Sequence, residues 1–93
     1  MIAKRAVVDF AQQHPDAKSA LEQWYKTVSQ AMWKSLVETR QVYPSADLVG
    51  RRTVFNIKGN SYRLIARVTY RTQRVFILHI LTHADYDKGD WKQ

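Results

Sequence analysis

Residues 53–83, TVFNIKGNSYRLIARVTYRTQRVFILHILTH, decide the fold. Their apolar positions recur every second residue, the period of a β-strand with one face against a core. Gly59-Asn60 separates the first run from the second, and Thr72-Gln73 separates the second from the third. The reading is three strands: Thr53 to Lys58, Tyr62 to Arg71 and Arg74 to His83. Connections this short make them antiparallel neighbours.

Side chains alternate across a strand, so parity sorts them between two faces. One face is expected to collect Phe55, Ile57, Leu64, Ala66, Val68, Phe76, Leu78 and Ile80 against a helical layer. The other is expected to carry Val54, Asn56, Lys58, Arg63, Ile65, Arg67, Thr69, Arg71, Val75, Ile77, His79, Leu81 and His83. That second face is basic. A β-bulge anywhere in a strand would invert the sorting beyond it.

The helical layer lies upstream. Arg5 to His14 carries Ala6, Val7, Phe10 and Ala11 at helical spacing, and Pro15 disfavours helix at His14. Asp16 is the expected cap of the next helix. In that helix Leu21, Trp24, Tyr25, Val28 and Met32 form a continuous apolar stripe. Ser35 to Val42 reads as a short third helix, Tyr43 to Asp47 as a turn, and Ile2-Ala3 as a brief opening strand. Two to three helices followed by a meander give an α+β fold, the helices on one face of a small antiparallel sheet.

The length, 93 residues, is that of one domain spanning 1–93. Without cysteine, disulfides and thiolate metal sites are excluded. No run approaches the ~20 apolar residues of a membrane span, and the first residues lack a signal peptide's apolar core. The expected location is the cytoplasm, with no membrane partner. Fifteen Lys and Arg against eight Asp and Glu give +7, which favours a polyanionic partner, nucleic acid first among them. Glycine is too scarce for a phosphate loop or a dinucleotide fingerprint, and no cofactor is expected. His79 and His83, four residues apart on a strand, lie ~13 Å apart and cannot share a metal.

A basic face with histidines suits metal-free cleavage of RNA. Arginine grips a phosphate and neutralises charge building on it. Histidine moves protons near neutral pH. The third strand runs into LTHADYDK, residues 81–88, which sets a histidine, a tyrosine, two aspartates and a lysine at the strand's end.

The segments WYKTVSQAMWKS, VFNIKGNSYRLIARVTY and VFILHILTHADYDKGDW resemble the HigB family of bacterial toxins, within the RelE-like superfamily. The combination of FNIKGN-x-YRL with THA-x-YDK carries most of the resemblance. It implies a RelE-like α+β toxin and an mRNA interferase that cuts messages on the ribosome. It also implies a HigA-type helix-turn-helix antitoxin, the pair binding its own operator DNA. Asn56, Lys58, Asn60 and Arg63 match the first motif, and Thr82, His83, Tyr86, Asp87 and Lys88 the second. Asp85 stands where the family often has Glu.

On this basis His83, Arg63, Lys58 and Tyr86 are the candidate catalytic residues. Lys58, Arg63 and Arg67 would hold the phosphate and His83 would move a proton. Tyr86 would stack on a base or supply a second proton-transfer group, with Asp87 orienting His83. Asn56, Asn60, Arg67, Arg71, His79, Asp87 and Lys88 are the candidate RNA contacts. Other readings stay open at this point: a non-catalytic RNA- or ribosome-binding module, a ParE-like gyrase-directed toxin, or an inactive member serving as corepressor.

Overall fold

The computed structural model describes residues 4–59, 61–89 and 91. Its first helix, α1, spans Arg5–Gln13 and ends where Pro15 forces His14 out of helical geometry, at φ −132° and ψ 75°. A single 3₁₀ turn, Pro15–Ala17, leads into α2, Lys18–Gln30. Asp16 does not cap that helix: its carboxylate turns instead toward Tyr62 and Lys58. Leu21, Trp24 and Val28 are buried along α2 and Tyr25 is half-buried, as the stripe requires. Met32 departs from it. Ala31 is extended, so α2 stops short of Met32, which is 77% exposed.

The third helix, α3, spans Leu36–Val42 and opens on a capping pair. Ser35 Oγ accepts from the Glu38 amide of the first turn, and the Glu38 carboxylate reaches back to the Lys34 amide just before the cap. Thr39 is fully buried. Its hydroxyl lies 3.1 Å from the Tyr70 hydroxyl and ties α3 to the sheet.

Four strands follow: β1 Asp47–Val49, β2 Arg52–Ile57, β3 Tyr62–Thr69 and β4 Arg74–Thr82. They form one antiparallel sheet in chain order. The three-residue β1 is too short for alternation to reveal, and it falls where the sequence reads as turn and break. The last element is a fourth helix, α4, His83–Lys88, which the sequence pattern did not announce. Of the sequence expectations, Ile2-Ala3 and Asn60 lie outside the described residues.

The register of β3 with β4 corrects the expected faces. Leu64 pairs with Ile80 and Ile65 with His79, but Ala66 pairs with Ile77, leaving Leu78 as an extra residue in β4. This bulge reverses parity upstream of it. Val75 and Ile77, not Phe76 and Leu78, join the main core against the helices, and Ile80 stays with them. Phe76 is turned to the other face, opposite Arg67. The run VFILHIL is apolar at both parities, so alternation alone could not choose.

The main core lies between the sheet and α1 and α2, around Leu21, Trp24, Phe55 and Leu64. Trp24 and Tyr43 both meet Phe55 edge-on, with centroids 5.4 Å away. The second face is not simply solvated. Val54, Ile65 and Trp91 form a smaller buried cluster there, with Val49, Leu81 and Tyr86 around it. Among the described residues no helix is long and apolar enough to cross a membrane. Truncating Phe55 to Ala removes the ring shared by Trp24 and Tyr43 and should cost ~3–5 kcal/mol in a urea titration. Met32→Ala, at an exposed site, should stay within ~0.5 kcal/mol.

Candidate active site

The strand β4 gives way to α4 in the middle of the LTHADYDK stretch. Thr82 is the N-cap, its hydroxyl accepting from the Asp85 amide at 3.2 Å. Gly89 closes the helix in the left-handed region, at φ 76°, where a side chain would be strained. The His83 amide donates to the Ser61 carbonyl at 3.1 Å, fastening the start of α4 to the β2–β3 turn.

His83 is therefore the first residue of a helix and not the last of a strand. This changes its neighbours. On a helix, residues three and four apart share a face, so His83, Tyr86 and Asp87 come together. His83 Nε2 lies 3.2 Å from Asp87 Oδ2. A carboxylate at that nitrogen orients the ring. Both side chains are about half exposed, so substrate can reach them.

Arg63 reaches the same helix from the sheet. It sits on β3 opposite Asn56 and Leu81, on the second face. Its guanidinium lies over the Tyr86 ring, 5.4 Å from the centroid, and Nη1 donates to the Tyr62 carbonyl at 3.3 Å. Behind Tyr86 stands Trp91, stacked at 5.0 Å with the planes 16° apart. The Trp91 indole donates to the Tyr86 carbonyl at 2.9 Å, and Trp91 is only 4% exposed. The three side chains form a stack, Trp91–Tyr86–Arg63. Cation–π and ring stacking contribute ~0.5–1.5 kcal/mol each. The Tyr86 ring thus has both Trp91 and the Arg63 guanidinium as neighbours.

The other expected residues divide. Asn56 is half-buried beside Arg63. Arg67 and His79 are exposed on the second face, paired with Phe76 and Ile65. His79 lines a shallow hollow with Leu81, Asp85, Lys88 and Trp91. Lys88 is 3.6 Å from Asp85. Arg71 is exposed beyond the end of β3, in the turn to β4.

Lys58 is not where alternation put it. It lies past the end of β2 in the left-handed region, at φ 53°, so strand parity no longer governs it. Its amine lies 3.0 Å from Asp16, on the helical side of the sheet. Tyr62 donates to the same carboxylate at 2.8 and 2.9 Å, and its ring meets Phe10 and His14 edge-on. The hydrogen bond from Tyr62, then that from Lys58, holds the Asp16 carboxyl below its ordinary range. The same bond pushes the Tyr62 phenol up.

Comparison with known proteins gives these features a family. The family model for HigB toxins, the RelE-like toxic component of a toxin-antitoxin system, matches residues 17–89. The chain is 30% identical over 90 residues to the mRNA interferase toxin HigB of Escherichia coli (strain K12), covering 94% of this chain and 86% of that one. The mRNA interferase HigB of Shigella flexneri matches with the same identity and coverage. The mRNA interferase HigB of Escherichia coli O6:H1 is 30% identical over 91 residues, 95% of this chain and 88% of its own length.

The chain belongs to the HigB family of toxins.

In this HigB-family chain the residue that sequence reasoning missed is Trp91. Its signal is slight: an aromatic two residues after a glycine, in a short tail that matches neither motif. The missed helix α4 has a clearer signal, because Thr82-x-x-Asp85 followed by Gly89 is a cap at each end.

The Asp16–Tyr62–Lys58 cluster makes a prediction for pH. Asp16 binds its proton less readily when folded than when unfolded. Its contribution to stability is therefore fully present above the ordinary carboxylate range and lost as pH falls through the lowered value. Tyr62 works the other way: its share is complete below the ordinary phenol range near ~10 and lost as pH rises through the raised value. In thermal melts from pH 2 to 11, Asp16→Asn should flatten both limbs, and an unchanged pH profile would refute the linkage.

Proposed function

We propose that this HigB-family toxin is an mRNA interferase, a metal-independent endoribonuclease that cuts messages on the ribosome. The observation that carries the reading is the face of α4, where the half-exposed His83–Asp87 pair adjoins an arginine clamped on Tyr86. RNA cleavage without a metal needs a proton-transfer group and a cation at the phosphate. The 2′-oxygen attacks phosphorus and the bond to the 5′-oxygen breaks. The proton leaves the 2′-hydroxyl and one is delivered to the departing 5′-oxygen.

Arg63 takes the scissile phosphate and neutralises the charge that builds on it. His83 moves a proton, with Asp87 fixing the ring. Tyr86 positions Arg63, backed by Trp91. Asn56 lies beside Arg63 in reach of the RNA. Lys58, paired with Asp16 on the helical side, braces the β2–β3 turn, which also receives the His83 amide. The chain works in the cytoplasm as a single domain. A HigA-type helix-turn-helix antitoxin neutralises it, and the complex binds operator DNA. The relatives named mRNA interferase support the activity assigned to this chain.

Mapping of mRNA 5′ ends in cells briefly expressing the chain tests this. New ends within translated regions are expected with the parent. His83→Gln should lower cleavage ~10²–10⁴-fold, and Arg63→Ala by a comparable factor. Growth arrest without new ends would overturn the nuclease reading.

A further inference from the structure

The far end of the same sheet face carries a second basic site. Arg51, Arg52 and Arg67 line one hollow together with Leu78. Arg52 and Arg67 come from adjacent strands. The pair Thr53 and Ala66 places them side by side one step further along. Arg51 joins them from the β1–β2 turn. Three arginine side chains around one hollow offer hydrogen-bond donors and positive charge to an anion.

Beside them stands an exposed aromatic ring. Phe76 is paired with Arg67 across the strands and is 51% exposed, and Leu78 is 41% exposed. Regular alternation through β4 from Ile80 would have put both residues against the helices. The bulge at Leu78 turns them out instead, so the sheet's irregularity places an apolar platform among the arginines. Single-stranded nucleic acid is bound by this combination: cations tracking the backbone and an aromatic face for an unpaired base. Arg63 and Arg67 are four residues apart on β3, or ~13 Å along the strand. A few nucleotides of extended chain span that distance.

We propose that Arg51, Arg52, Arg67 and Phe76 form a second RNA subsite, gripping a backbone phosphate and stacking an unpaired base a few nucleotides from the scissile bond. This deepens the nuclease reading and rests on it. The subsite holds the strand and takes no part in the bond-breaking step.

The test is fluorescence anisotropy of a short unstructured oligoribonucleotide with the full chain carrying His83→Gln, so that the probe is not cut. Adding Arg52→Gln and Arg67→Gln should weaken binding at least ~10-fold and reduce the salt slope by ~0.7 for each phosphate no longer neutralised. Lysine at both positions should keep most of that slope, since the charge stays. Phe76→Ala should weaken the single strand ~5-fold or more and leave an RNA duplex of the same length unaffected. If the double variant unfolds, the exposed Arg67→Gln alone serves, with a smaller change in slope. Equal affinity and equal salt slope in the arginine variants overturn the subsite, as does an oligonucleotide that the His83→Gln chain fails to bind. Message cleavage by the parent in cells separates that failure from failure of the nuclease reading.

Discussion

A β-sheet has two faces, and here each face carries apolar residues that water would penalise. The helical half covers the first, where Trp24 and Leu21 of α2 meet Phe55 and Leu64. The short α4 and one tryptophan remain for the second, and they cover only part of it. Val54, Ile65 and Trp91 close a small cluster under α4. The rest of that face keeps its basic residues at the surface. Much of the functional arrangement follows from this unequal cover, because the border between covered and uncovered sheet is where α4 meets Arg63.

The border also brings the histidine to its carboxylate. Had β4 continued through His83, Asp87 would have lain ~13 Å along the strand. A turn of helix brings it to 3.2 Å. The change from strand to helix depends on one hydroxyl, that of Thr82, and on one left-handed glycine, Gly89. Trp91 then locks the result by stacking on Tyr86 and bonding its carbonyl. A residue in the tail thereby acts on a cation in the middle of the sheet.

Charge is partitioned by the same layering. Asp16 gathers Lys58 and Tyr62 on the helical side, where the ion pair joins the first 3₁₀ turn to the β2–β3 connection. On the other side Arg52, Arg63 and Arg67 project from neighbouring strands with apolar residues between them. The net charge of +7 is thus focused by topology.

Read alone, the sequence determined the class of fold, the three long strands, the helix boundary at Pro15 and the α2 stripe. All of these follow from local periodicity and from the geometry of proline. The HigB family was also legible, through FNIKGN-x-YRL and THA-x-YDK. Three matters belonged to tertiary structure. The bulge at Leu78 was decided by which of two equally apolar parities packs against α1 and α2, and no alternation rule can choose between them. Lys58 went to Asp16 because a left-handed residue beyond the strand end escapes strand parity, and because its partner lies 42 residues away. Trp91 became part of the site because the second sheet face needed cover, a demand that exists only once the sheet has formed.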